Sequence, residues 1–148
     1  MTTANIHWDR LAILEIGARR LALPLSDVVY FAQAGEQQAV SDGPRWMVGI
    51  LAQRAGDAGI PVLDLAGLWD DVSLRGSRSR IVATLAGIGI AIDSYTTTQV
   101  AIPILPLRPA PGMPALRRAA LIDGRPIPVL DARHLVSHDQ WEALKLTA

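Results

Sequence analysis

Short apolar runs separated by glycine, proline and charged residues make up most of this chain. Leu11–Ile16 and Leu21–Pro24 are two such runs on either side of the pair Gly17-Ala18, a pattern typical of a β-hairpin. Both runs are apolar at most positions, so we expect their strands to be buried on both faces, between layers. The hydrophobic pattern therefore predicts a strand-rich fold.

Extended segments of the same kind continue toward the C-terminus. Strands are predicted at 45–51 and 60–63, joined by a loop that contains two glycines. A second hairpin is predicted around Gly87, and a third around the turn Asp123-Gly124. The pattern thus predicts hairpins along the whole chain.

Helix signals concentrate at the C-terminal end. Ser137 and Gln140 have the spacing of a capping box, and Val136 and Trp141 occupy the positions of a hydrophobic staple. We therefore predict a short helix at 137–146 that docks on the β structure.

The pentapeptide IPVLD occurs twice, at Ile60–Asp64 and Ile127–Asp131, each time with a leucine four residues after the aspartate. In each copy the proline keeps the start of a strand out of the ladder, and the aspartate caps a turn. Two copies indicate an internal duplication and two lobes of one plan. We place one domain at 10–146, with lobes at about 10–72 and 79–136 and with strand exchange between them allowed.

Composition narrows the classes of function. Half of the 148 residues are hydrophobic and the formal net charge is +0, which favours protein partners over nucleic acid, since the latter needs excess basic charge. Without cysteine, a disulfide framework and thiolate chemistry are excluded. The first ten residues lack the features of a secretory signal, and the longest apolar run is too short to cross a bilayer. We expect a cytoplasmic protein that does not insert into membranes.

Five segments follow one another in an order typical of a known family. They are PLSDVVYF (Pro24–Phe31), GILAQR (Gly49–Arg54), IPVLDL (Ile60–Leu65), IGIAIDSYTTTQV (88–100) and AALIDGRPIPVLDARHLV (119–136). From about Leu11 to Leu144 the chain resembles the CheW-like domain family, the coupling proteins of bacterial chemotaxis arrays.

This resemblance implies both a fold and a function. The fold is mainly β, with two small five-stranded β-barrels packed side by side and a short C-terminal α-helix. The function is that of a non-catalytic adaptor, which couples the cytoplasmic tip of a chemoreceptor to the regulatory domain of a histidine kinase. Binding in the family uses an apolar edge of one barrel and the groove between the barrels.

Candidate partner-binding residues follow from the same resemblance. Val28 falls on an apolar contact position, Gly49 on a tight-turn glycine and Arg54 on the arginine of the family's N-L-R-G strand. Tyr30 stands where the family usually has glutamate, and Trp46, which follows a polar loop, is a further candidate contact. Val28 also fits a core position, and Gly49 also fits a purely backbone requirement.

Tyr30 and the segment AQRA, which replaces NLRG, depart from the family pattern. An aromatic residue in place of a charge is a change that alters partner choice. A second function therefore stays open, namely a CheW-like scaffold of a non-flagellar chemosensory system that controls pili or another surface behaviour.

Two classes outside the family are weighed against this interpretation. A metal-dependent enzyme would need a ligand cluster, but His134, His138 and Asp139 lack a defining spacing, and no nucleophile elbow is present. A small-molecule-binding or nucleic-acid-binding barrel could use Arg75, Arg78 and Arg80, but that segment is more typical of a solvated linker. The sequence predicts no catalytic residue, no metal and no cofactor.

Overall fold

The computed structural model describes residues 6–40, 43–52, 59–70, 78–108 and 114–147. The described strands are β1 His7–Asp9, β2 Leu11–Ile16, β3 Arg19–Pro24, β4 Val28–Gln33, β5 Gln37–Ala39, β6 Met47–Leu51, β7 Ile60–Leu63, β8 Arg80–Thr84, β9 Gly89–Ile92, β10 Ser94–Thr97, β11 Ile102–Pro106, β12 Leu116–Ile122 and β13 Arg125–Leu130. The helices are α1 Leu65–Asp70 and α2 His138–Thr147, with 3₁₀ helices at Leu25–Asp27, Ala34–Glu36 and Ala132–His134.

These strands form two curled sheets that lie side by side. Sheet I has the order β1-β11-β12-β13-β3-β2-β10, and sheet II has the order β4-β8-β9-β7-β6-β5. The predicted fold class, mainly β with two lobes and a short C-terminal helix, is confirmed. In the part of the chain that the structure describes, the lobes contain seven and six strands rather than five each.

The two halves of the chain exchange hairpins. The N-terminal half contributes one hairpin to sheet I, and the C-terminal half contributes one to sheet II. The β2–β3 hairpin lies between β13 and β10 in sheet I, and the β8–β9 hairpin lies between β7 and β4 in sheet II. Among the described strands, each sheet contains one parallel strand pair. In sheet I it is β13 and β3, with Val129 beside Ala22, and in sheet II it is β7 and β9, with Val62 beside Gly89. Neither sheet is therefore built from one half of the sequence alone.

The two copies of IPVLD occupy matching central positions. β7 carries the first copy between β6 and β9, and β13 carries the second between β12 and β3. Asp64 Oδ1 accepts a hydrogen bond from the amide of Ala66 at 3.1 Å, and Asp131 Oδ1 accepts one from the amide of Arg133 at 3.2 Å. The predicted capping by both aspartates is confirmed.

Three apolar clusters explain why many strands are hydrophobic on both faces. One belongs to sheet I, one to sheet II, and the largest, which we call the seam cluster, joins residues of both sheets. Along β2, Leu11 and Ile13 belong to the sheet I cluster, whereas Ala12 and Leu14 belong to the seam cluster. Since successive strand residues point to opposite faces, each strand between the clusters needs apolar residues throughout.

Helix α2 packs against sheet II. The amide of Ser137 donates to Gln140 Oε1 at 2.8 Å, and the amide of Gln140 donates to Ser137 Oγ at 3.2 Å, so the predicted capping box is present. Val136, Trp141 and Leu144 pack in a fourth cluster with residues of β6 and β7. The helix begins one residue later than predicted.

Candidate partner-binding surface

Strand β4 is an edge of sheet II and has a strand neighbour, β8, on one side only within the described chain. Such an edge exposes backbone groups that can pair with another protein. Its register shifts between Val28 and Tyr30, and Val29 and Tyr30 are 52% and 38% exposed. Leu85, 68% exposed, donates its amide to the carbonyl oxygen of Asp27 at 2.9 Å. We call Val29, Tyr30 and Leu85 the β4 edge surface.

Strand β4 also meets β10, an edge strand of sheet I. Phe31 of β4 stacks on Tyr95 of β10 with ring centroids 3.7 Å apart and an interplanar angle of 5°. The guanidinium of Arg80 lies 6.0 Å from the Tyr95 ring centroid. Val28 is half-buried and packs with Phe31 against the seam cluster. The β4 edge surface therefore lies beside the place where the two sheets meet.

A partly desolvated carboxyl stands at the start of β4. Burial raises the pKa of Asp27, while the guanidinium groups of Arg133 and Arg118 act in the opposite direction. The side chain of Ser26 donates to Asp9 Oδ2 at 2.8 Å. This end of the edge is thus polar, in contrast to the apolar side chains that follow.

The other predicted contact residues do not join the β4 edge surface. Trp46 is half-buried and packs in the cluster beneath α2. Gly49 is buried on β6, where a Cβ would overlap Gln37 Oε1, so the close approach of β5 accounts for the glycine. Arg54 lies outside the described residues. Of the five candidates, Val28 and Tyr30 are therefore the two that the structure brings together.

Two neighbouring clefts lie on either side of Val136. One, of about 320 Å³, is lined mainly by Ala86, Ile88, Ala132, Val136 and Trp141. The other, of about 310 Å³, lies between α1 and the segment that leads into α2.

The second cleft is lined by equivalent residues of the two repeats. Leu68 and Trp69 follow Asp64 by four and five residues, and Leu135 and Val136 follow Asp131 in the same way; all four face this cleft. The residues that follow the two copies of the motif thus form facing walls of one cleft.

Asp131 forms a short polar network with Arg133 and His134, which line the second cleft. Its Oδ2 lies 2.7 Å from Nδ1 of His134, and Arg133 Nε lies 3.5 Å from its Oδ1. Burial alone would raise the pKa of Asp131, but the hydrogen bond with His134 and the positive charge of Arg133 outweigh it, and the pKa is lowered.

The described residues contain no group of three or more His, Asp or Glu side chains that could hold a metal ion. His134 is engaged by Asp131, and His138 begins α2. No α-helix within the described ranges is long and apolar enough to span a membrane.

An exposed apolar surface at a strand edge is typical of a protein that binds other proteins. The model of the CheW-like domain matches residues 10–140, and this chain belongs to that family. Members of the family are scaffold or adaptor proteins without catalytic activity, and the prediction that the chain is not an enzyme is confirmed.

The fold is also similar to a solved structure. The scaffolding protein TtCheW from Thermoanaerobacter tengcongensis superposes with a TM-score of 0.69 at 22% sequence identity, over 90% of this chain and 96% of that one. No curated protein gives a significant match to the sequence.

Three residues of this region were not predicted from the sequence. Val29 and Leu85 are exposed, and Tyr95 forms the ring stack that joins the edges of the two sheets. The β-bulge that exposes Val29 has no sequence signal of its own, because Val-Val-Tyr fits a buried strand equally well. Exposure of Leu85 could have been anticipated from its place beside the turn at Gly87.

Proposed function

We propose that this chain is a cytoplasmic, non-catalytic adaptor that couples the cytoplasmic tip of a chemoreceptor to the regulatory domain of a histidine kinase in bacterial chemotaxis-like signalling. The observation that carries the proposal is the apolar β4 edge surface, which has a strand neighbour on one side only among the described residues and lies beside the place where the two sheets meet. Membership of the CheW-like family supports the same conclusion. Neither nucleic acid nor membrane insertion has a part in this function.

The β4 edge surface suits the docking of another β-rich domain. Unpaired backbone groups on β4 offer hydrogen bonds, and Val29, Tyr30 and Leu85 offer apolar area for the centre of an interface. Full burial of one such side chain is worth about 1.5–3 kcal/mol, so this surface can anchor a partner of moderate affinity.

Within this proposal the predicted contact residues have different parts. Tyr30 contacts the partner directly, and Val28 supports the edge from the seam cluster. Trp46 and Gly49 act through the packing of β6 and α2. Arg54, which follows β6 in the sequence, is proposed as a direct contact.

A charge placed on the edge tests the proposal. Val29→Glu is compared with Val100→Glu, since Val100 is 65% exposed and lies away from β4 in the sequence. Titration calorimetry with the kinase regulatory domain and the receptor tip of the same organism should show a loss of about tenfold or more for Val29→Glu. The Val100→Glu protein should bind like the wild type.

Arg54→Glu, measured in the same way, tests the proposed arginine contact. Full-strength binding by both Val29→Glu and Arg54→Glu would place the site elsewhere. Absence of binding by the wild-type protein to either partner would contradict the adaptor function itself.

The exposed Tyr30 favours a second candidate function, a scaffold of a non-flagellar chemosensory system with a different kinase or receptor. Tyr30→Glu restores the residue usual in the family at an exposed position. If the natural partners belong to the standard chemotaxis system, the substitution should leave or strengthen binding. If they belong to another system that uses the aromatic ring, it should weaken binding by about tenfold.

A further inference from the structure

Arg78 is buried, although the sequence places it in a solvated linker. Its side chain is 9% exposed, and its Nη1 lies 2.9 Å from Oδ2 of Asp93. Its Nε lies 3.8 Å from Oδ1 of Asp64, whose side chain is 1% exposed. The earlier interpretation of this arginine as part of a solvated segment is therefore wrong.

The two carboxylates connect Arg78 to both sheets. Asp64 ends β7 of sheet II, and Asp93 lies between β9 of sheet II and β10 of sheet I. Asp93 Oδ2 also accepts a hydrogen bond from the amide of Gly17 at 2.6 Å, in the turn between β2 and β3 of sheet I. One guanidinium and one shared carboxylate thus join the two lobes.

The turn at Gly17 packs directly on this guanidinium. Gly17 has a φ of +61°, and a Cβ there would lie 3.6 Å from Nη2 and 3.7 Å from Nη1 of Arg78. The left-handed conformation favours glycine here, while a Cβ would make only ordinary van der Waals contact with the guanidinium.

Stability alone explains this cluster poorly. Among the residues that the structure describes, Arg78 Nε and Asp64 Oδ2 are buried without a hydrogen-bond partner, and each such atom has a desolvation cost. Replacing a buried ion pair by apolar residues is often neutral or stabilising, whereas buried ionic groups can specify one arrangement among several packings. The arrangement specified here is that of sheet I relative to sheet II.

The same cluster positions both edge strands of the candidate surface. Ser79 follows Arg78, and its carbonyl oxygen accepts the amide of Ala34, just after β4, at 2.9 Å. Ser79 Oγ donates to the carbonyl oxygen of Asp93, just before β10, at 3.0 Å. The end of β4 and the start of β10, which carry Phe31 and Tyr95, are therefore tied to the Arg78 segment.

We propose that Arg78 is a positioning residue that locks the two sheets together and holds the β4 and β10 edges in the arrangement a protein partner recognises. The claim that Arg78 locks the two sheets depends on its contacts alone. The claim that a partner recognises the resulting arrangement rests on the proposed function.

Three variants test this proposal in the full-length protein. Arg78→Met keeps the length of the side chain without its charge or donors, and Arg78→Lys keeps the charge without the planar fork. Arg20→Met is the control, because the Arg20 side chain is 60% exposed. Its ion pair with Glu15, 4.0 Å from Nε to Oε1, is long and stays within the β2–β3 hairpin.

Amide hydrogen exchange measured by NMR gives the local readout. Arg78→Met should accelerate exchange of the Gly17 amide by about tenfold or more, while Ala83 in β8, between β4 and β9, keeps wild-type exchange. Arg78→Lys should give an intermediate effect, and Arg20→Met should give none. Uniform acceleration at Gly17 and Ala83 would indicate general destabilisation and would overturn the locking role.

Partner binding gives the second readout. Affinity for the kinase regulatory domain should fall by about tenfold in Arg78→Met at a temperature where the variant is fully folded. If Arg78→Met does not fold, the Arg78→Lys variant is used for the test. The proposal is overturned if Arg78→Lys exchanges its Gly17 amide and binds the kinase regulatory domain as the wild type does. If the wild-type protein binds no partner, the proposed function fails while the exchange result still decides the lock.

Discussion

At Gly49 the fold leaves no room for a side chain. A Cβ there would overlap Gln37 Oε1 and lie 3.0 Å from the carbonyl oxygen of Gln38, both on β5. We predict that Gly49→Ala lowers the free energy of unfolding by about 1 kcal/mol, because the Gln37 side chain must turn away and the β5 backbone at Gln38 must move by a small amount. Urea denaturation measures this, with Gly35→Ala as control, since a Cβ at Gly35 meets nothing within 4 Å. Full stability combined with lost partner binding would instead make Gly49 a contact residue.

Asp131 predicts a pH dependence of stability with a defined sign. Its pKa is lowered in the folded chain, so its charged form contributes stability above the ordinary value of 3.8, and this contribution is lost as the pH falls through the lowered value. Asp131→Asn keeps a capping side chain and removes the charge.

We expect Asp131→Asn to be less stable than the wild type at neutral pH by about 1 kcal/mol or less, because solvent screens this rim site. The difference should shrink toward zero as the pH falls through and below the lowered pKa of Asp131. Urea titrations of both proteins over the acid range measure it. A difference that stays constant with pH would show that the cap, and not the charge, matters.

Strands β7 and β13 both contain the sequence Ile-Pro-Val-Leu, but the side chains of the two copies pack against different neighbours. Leu63 packs in the cluster beneath α2, whereas Leu130 belongs to the seam cluster, and both are fully buried. Leu63→Ala and Leu130→Ala should each lower the free energy of unfolding by about 2–5 kcal/mol. Hydrogen exchange should distinguish the two variants, since only Leu63→Ala is expected to accelerate exchange of the α2 amides. Equal local effects on α2 would contradict this division of the core.

Local signals predicted several elements well because their causes lie within a few residues. The β2–β3 turn follows from Gly17, which adopts a positive φ, and the start of α2 follows from the pairing of Ser137 with Gln140. The burial of Arg78 could not be predicted in this way. Its partners Asp64 and Asp93 come close only after both sheets have formed.

The exchange of hairpins makes the two lobes depend on each other. A fragment 10–72 contains β4–β7 but lacks the β8–β9 hairpin that its sheet needs, and a fragment 79–136 lacks the β2–β3 hairpin. We predict that neither fragment folds alone and that the intact chain unfolds in one cooperative transition. Circular dichroism and NMR dispersion of the separate fragments measure this. A fragment with native dispersion would show that a lobe is autonomous.

The sequence by itself determined the duplication, the strand-rich class, the caps at Asp64 and Asp131 and the C-terminal helix, because each depends on short-range spacing and side-chain type. Only the tertiary structure decided which hairpin enters which sheet, that Val29 and Leu85 are exposed, and that Arg78 is buried between two carboxylates. Those outcomes depend on contacts between residues far apart in the chain, whose free energies appear only when the two sheets pack against each other.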